Sequence, residues 1–108
     1  MASIRFDSSM VHDWPSFHNY CKNVFGFFEG YGMNMDAWID CMSSLDEGGM
    51  TKFLLGPNEM LHVEFTDTEN FRKRVPEIFE SFIDCSAFVN QRYAEMGRIP
   101  ALSLLFVN

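Results

Sequence analysis

Two aspartates four residues apart carry the strongest chemical signal in the sequence. Asp36 and Asp40 are i and i+4, so on a helix they are neighbours on one face. The interval between Lys22 and Lys52 contains no lysine or arginine but five acidic residues, which concentrates negative charge there. Two interpretations are open: a solvated face whose repulsion is screened, or a docking face for the basic side chains of another protein.

The other candidate chemistries have weaker support. His18 and Cys21 are i and i+3 and could chelate a metal, but no zinc-site spacing is present and Cys21 falls on an apolar stripe. Cys41 lies on the inner side of its predicted helix, which is typical of a structural thiol. Asp36 and Asp40 would share one environment, whereas a general acid and base need two different ones. We therefore predict no catalytic residue, no metal site and no cofactor.

Composition limits the architecture and the class of partner. The chain has 108 residues, of which 47% are hydrophobic and 12 are phenylalanine, so we expect one domain over residues 1–108 with a phenylalanine-rich core. Fifteen acidic residues against eight basic ones give a formal charge of −7. Nucleic acids and anionic membranes would repel such a surface, so we expect a basic protein partner, no nucleic acid and no membrane.

The cysteines and the first residues indicate the compartment. Three cysteines, an odd number at wide spacing, do not form a disulfide framework (Cys21, Cys41 and Cys85). The first six residues lack the basic start and apolar run of a secretory leader, and no stretch approaches the roughly 20 apolar residues of a membrane span. These features predict a reduced, cytoplasmic protein.

Two amphipathic helices are predicted in the first half of the chain. Asp13 is an N-cap before Trp14-Pro15, and the apolar stripe that follows runs to Phe25, with Gly26 as the end signal. Asn34 is the N-cap of the second helix. Its apolar stripe would contain Met35, Trp38, Ile39 and Met42, with Ile39 lying between the polar row and the buried side. Ser43 and Glu47 would continue the acidic row.

Three segments have the composition of strands and alternate with helical segments. They are Ser3–Phe6, Met60–Phe65 and Ala101–Val107, and their alternation with helices predicts a small parallel sheet. The nearly continuous apolar run of Ala101–Val107 is typical of a central strand covered on both faces. Thr51–Leu55, followed by the turn Gly56–Asn58, predicts an added hairpin strand.

Two further helical segments are predicted between the last strands. Thr66 and Glu69 have the spacing of a capping box and predict a short helix from Asp67 to Arg74. Pro76 to Met96 is also helical, but its spacing leaves open whether it is one helix or two.

The segment Tyr31-Gly32-Met33-Asn34-Met35-Asp36-Ala37-Trp38-Ile39-Asp40-Cys41-Met42 resembles the signature of the barstar family. Members of that family are intracellular inhibitors of secreted microbial ribonucleases. The matching features are a tyrosine-glycine loop, an asparagine, two aspartates separated by three residues, and a cysteine after the second. The resemblance implies an α/β fold, with a small three-stranded parallel sheet packed by several helices.

The resemblance also implies a function and a set of site residues. An immunity-type inhibitor would insert the Gly30–Gly32 loop and the acidic helix into the basic active site of a microbial ribonuclease or related toxin. Asp40 would be the central anchor, and the partner-binding residues would be Asn34, Asp36, Ile39, Asp40 and Ser43. Such a protein is not an enzyme, and we expect it to be a monomer when free. The alternative is an interaction module for a different basic protein or toxin, without ribonuclease inhibition.

Several positions depart from the family pattern. Gly30 stands where a contact tyrosine is typical, and Trp38-Ile39 replaces leucine-tryptophan, which favours Trp38 as a core residue. Arg92 and Met96 stand where acidic residues are expected. The hypothesis requires that Asp36 and Asp40 point outward and are not neutralised by the chain's own arginines or lysines.

Overall fold

The structure, a computed structural model, describes residues 2–108. The elements in chain order are β1 (Ala2–Asp7), α1 (Trp14–Phe25), α2 (Met35–Met42), β2 (Leu61–Thr66), α3 (Thr68–Arg74), α4 (Pro76–Glu95) and β3 (Leu102–Phe106), with a 3-10 turn at Ser8–Met10. The strands form one parallel sheet in the order β1–β2–β3. The predicted α/β fold with a three-stranded parallel sheet is confirmed.

The core fills the space between one face of the sheet and the helices. Alternation along β2 buries Leu61, Val63 and Phe65, and the residues between them are only half-buried. Six aromatic rings have their centroids within 6.5 Å of the centroid of the Phe6 ring on β1: Phe17, Tyr20, Phe25, Phe65, Phe71 and Phe82. These contacts confirm the predicted phenylalanine-rich core.

The prediction that the last strand is central is wrong. Residue Val63 on β2 pairs with Ile4 on one side and Leu104 on the other, so β2 is the central strand and β3 is an edge. Leu105 is 56% exposed and Phe106 is 42% exposed. An apolar run does not reveal how many neighbours a strand has, because its place in the sheet depends on the other strands.

The added hairpin strand is also wrong, since Thr51–Leu55 is irregular. Two of its backbone N–H groups bond outside the segment: Lys52 N–H to the carbonyl oxygen of Phe25, the last residue of α1, at 3.1 Å, and Leu55 N–H to that of Leu45, in the turn after α2, at 2.8 Å. Leu55 is buried but Leu54 is 68% exposed. The segment is a loop that uses apolar side chains to cover the core.

Helix α3 begins without the predicted capping box. Thr66 is the last residue of β2, and the N-cap is Asp67 in a left-handed conformation, without a side-chain cap. The free N–H groups at this end bond instead to the C-terminal segment, Thr68 N–H to the Val107 carbonyl oxygen and Glu69 N–H to Asn108 Oδ1, both at 3.0 Å. A partner this distant in sequence cannot be recognised from local spacing.

The segment whose number of helices was open forms one helix, α4, of 20 residues. Its buried residues are Ile78, Phe82, Ser86, Val89 and Tyr93, which recur along one face. This face packs α4 against the sheet and beside α2. Within residues 2–108, no helix combines the length and the hydropathy that crossing a bilayer requires.

Candidate partner-binding face

Helix α2 begins where predicted because Asn34 caps it. Asn34 Oδ1 accepts a hydrogen bond from the Ala37 N–H at 2.8 Å, and its Nδ2 donates to the Gly32 carbonyl oxygen at 3.2 Å. The cap satisfies an N–H that has no partner within the helix, and the second bond fixes the preceding loop. Asn34 is itself exposed, so it can also contact a partner.

The underside of α2 holds the acidic residues outward. Trp38, Cys41 and Met42 are fully buried, and the Trp38 ring lies 5.2 Å from that of Phe82 on α4. Helical residues three or four apart share a face, so the buried row occupies one side of α2. Asp36 and Asp40 therefore lie on the opposite, exposed side. The prediction that Trp38 lies in the core is confirmed.

The acidic row is shorter than predicted. Helix α2 ends at Met42 with Ser43 as its C-cap, so Glu47 lies in the following turn and does not continue the row. Ser43 is half-buried at the end of the helix. The acidic residues of the row are therefore Asp36 and Asp40, and Ser43 lies at its end.

Helix α4 contributes two residues that the predicted site omitted. Phe88 and Arg92 line a groove of about 410 Å³ together with Asp36, Ile39 and Asp40. We call this surface the α2–α4 face: Asn34, Asp36, Ile39, Asp40 and Ser43 from α2 and its caps, with Phe88 and Arg92 from α4. The i, i+4 spacing of Phe88 and Arg92 was a usable signal, but only the packing of α4 against α2 brings them to the acidic row.

Asp40 points outward, as the hypothesis requires, but it has an arginine of the same chain beside it. Its side chain is 67% exposed, but Arg92 Nη1 lies 3.7 Å from Asp40 Oδ1. Both groups are solvated and the separation exceeds a hydrogen bond, so such a pair is worth about 0–1 kcal/mol. Asp36 is exposed and has no ion pair among residues 2–108. The face is therefore acidic but contains one cation of its own.

The loop before α2 is held by a buried aromatic side chain. Tyr31 is 5% exposed, and its hydroxyl lies 2.7 Å from Nδ1 of His18, which is also buried. Tyr31 is thus a structural residue, and the Gly30–Gly32 loop can offer a partner only its backbone. The next residue, Met33, has a φ of 56° and is 39% exposed, so it is the apolar side chain that this loop presents at the surface.

Acidification should destabilise the protein through His18. Burial among Trp14, Phe17 and Tyr31 lowers the pKa of His18 below its ordinary value of 6.5. The unfolded state then binds more protons below pH 6.5, so the free energy of unfolding should fall as pH drops from 6.5 towards the lowered pKa. Urea unfolding at several pH values measures this slope. His18→Gln should flatten it and the exposed control His12→Gln should not; an equal slope in all three proteins would contradict the prediction.

Tyr93 fixes the end of α2 to α4, and Tyr93→Phe should show it. The buried hydroxyl donates to the Met42 carbonyl oxygen at 3.0 Å and accepts from the Leu45 N–H at 3.1 Å. Removing it leaves a buried donor and acceptor without partners, which should lower the free energy of unfolding by about 1–3 kcal/mol. Urea denaturation is the measurement. The control Tyr20→Phe loses one exposed hydrogen bond, to Asp7 N–H, and should cost less.

The thiols and histidines do not form an alternative site. Burial raises the pKa of Cys41 to about 11, and the pKa of Cys21 is also raised by burial, whereas a nucleophilic thiol needs a lowered one. The hydrogen bond between His18 and the Tyr31 hydroxyl occupies Nδ1 of the buried His18 ring. Across the described part of the chain, no three His, Cys, Asp or Glu side chains converge as metal ligands would.

Comparison with known proteins assigns the family. No curated protein sequence matches the chain. A family model described as barstar (barnase inhibitor) matches residues 1–104. That range contains β1, β2, the first half of β3, all four helices and every residue of the α2–α4 face. The chain therefore belongs to the barstar family of barnase inhibitors.

Proposed function

We propose that this protein inhibits a microbial ribonuclease by occupying its basic active-site cleft with the α2–α4 face. The observation that carries the proposal is the exposed pair Asp36 and Asp40 on a helix whose underside is fully buried. Rigidly held carboxylates can take the places of substrate phosphates and accept charge-assisted hydrogen bonds from arginine and lysine. The inhibitor acts by occlusion and charge pairing, and no chemical step is required of it.

Charge also supports rapid recognition. The formal charge of −7 and the acidic row attract a basic enzyme over several ångströms, which raises the association rate at low salt. Salt screens this attraction, so the association rate constant should fall steeply with ionic strength. The dissociation rate constant depends on the short contacts of the α2–α4 face and should change less with ionic strength.

The test is suppression of RNA hydrolysis. The protein is titrated into assays of several basic, barnase-type ribonucleases at low and physiological salt. We expect saturable inhibition of at least one enzyme, with a matched loss of inhibition in the double variant Asp36→Asn, Asp40→Asn. RNA hydrolysis that is unchanged by an excess of the protein, for all enzymes tried, would refute the proposal.

Arg92 favours a second candidate, a basic partner that is not a ribonuclease. Its guanidinium, 3.7 Å from Asp40, makes the face less suited to a cleft lined by cations alone. The partner in this case is another basic protein or toxin. Affinity capture at low salt discriminates the two candidates, since it would return a basic protein without nuclease activity while RNA hydrolysis stays unaffected.

The proposal includes the setting in which the inhibitor works. It takes residues 1–108 as one domain, monomeric when free, that protects a bacterial producer from its own ribonuclease or toxin in the cytoplasm. The thiols support a reducing compartment, because Cys21, Cys41 and Cys85 are all free.

A further inference from the structure

Arg92 is the one basic residue among those that line the acidic groove between α2 and α4. Its Nη1 lies 3.7 Å from Asp40 Oδ1 and donates a hydrogen bond to Ser43 Oγ at 3.2 Å. A positive charge is therefore fixed beside Asp40, one of the two aspartates on which the proposed function rests.

The guanidinium of Arg92 is held in place by its neighbours, but some of its hydrogen-bond donors have no partner among residues 2–108. Its Cζ lies 4.9 Å from the centroid of the Phe88 ring, one helical turn away on α4, which supports it as a cation–π platform. The side chain is 43% exposed. Of the five N–H donors of a guanidinium, those on Nε and Nη2 have no partner among residues 2–108. These donors are available to an acceptor on another molecule.

This arrangement has two consequences for a partner. A cation that approaches Asp40 is repelled by Arg92 and competes with it for the same carboxylate. A carboxylate placed beside that cation meets the free donors of Arg92, and arginine binds carboxylates with two parallel hydrogen bonds. A mixed pair of charges is thus matched better than two cations.

We propose that Arg92 is a specificity-determining residue of the α2–α4 face: it disfavours a purely cationic surface and selects a partner that presents a carboxylate beside the cation bound by Asp40. The proposal rests on the proposed function in that both use the same face. It adds the chemistry of the partner, a protein surface of mixed charge.

The first test uses a probe that carries only positive charge, a fluorescent hexaarginine peptide at low ionic strength. Arg92→Glu should bind it about fivefold or more tightly than Arg72→Glu. Arg72 is a matched control, because it is also an exposed arginine paired with a carboxylate, Glu69, but lies on α3. Equal affinities of the two variants, with folding verified by circular dichroism, would show that Arg92 does not exclude cations.

The second test uses a ribonuclease that the wild-type protein inhibits. Here Arg92→Glu should weaken inhibition about tenfold or more, because a carboxylate of the partner would face a glutamate. This is the opposite of the tighter binding expected for hexaarginine. Unchanged or stronger inhibition would overturn the selection of a carboxylate. If the wild type inhibits no ribonuclease, the proposed function fails, and the hexaarginine comparison still decides whether Arg92 excludes cations.

Discussion

If the proposed function holds, replacing Asp40 by alanine is expected to weaken binding to the inhibited ribonuclease by about 2 kcal/mol or more, about thirtyfold in Kd. That magnitude is the one known for charge pairs of the barnase–barstar complex itself, the reference complex of this family. The physical reason is that truncation leaves a cation of the partner desolvated in the interface without a counter-charge. Calorimetric titration of the wild type and of Asp40→Ala against the same ribonuclease measures the loss of binding free energy.

The control for Asp40→Ala must change the charge equally without changing the face. Glu77→Ala does so, because Glu77 is exposed in the first turn of α4 and Arg92 lies near the other end of that 20-residue helix. It should alter Kd only through long-range attraction, which salt removes. Equal Kd values for Asp40→Ala and the wild type would remove Asp40 from the site.

The largest effect on stability is expected for Trp38→Ala, which should lower the free energy of unfolding by about 3–5 kcal/mol. Trp38 has no exposed surface, and its ring meets Phe82 at 5.2 Å and Phe25 at 6.4 Å between centroids. Alanine would leave a cavity between α2 and α4 that these neighbours fill only in part. Urea denaturation measures the loss directly.

Trp38 also lies beneath the acidic row, so its loss should affect binding through the position of α2. Trp38→Phe keeps an aromatic ring in the site and should recover part of the stability, which guards against a variant that does not fold. If Trp38→Ala unfolded at the same urea concentration as the wild type, the packing described for α2 would be incorrect.

Local signals predicted the elements that carry the acidic row. Asp13 and Asn34 cap α1 and α2 as expected, because an N-cap bonds to N–H groups only two or three residues away. The stripe that buries Trp38 is likewise a property of one helix. The fold class and the outward direction of Asp36 and Asp40 follow from such short-range patterns and from the family signature.

Long-range pairings account for what the sequence did not reveal. The edge position of β3 depends on β2 having two neighbours, and the irregular course of Thr51–Leu55 depends on hydrogen bonds to the end of α1 and to the turn after α2. Arg92 was noticed as a departure from the family pattern. Its contact with Asp40 could not be predicted, because it requires the packing of α4 beside α2.

The central position of β2 has a consequence for biosynthesis. Both of its ladders join segments far apart in sequence, Ile4 with Val63 and Val63 with Leu104, and such non-local parallel pairing has a high contact order and forms slowly. The second ladder cannot form until β3 has left the ribosome. A nascent chain that already contains α2 therefore has an incomplete sheet beneath it until residues 102–106 are available to pair with β2.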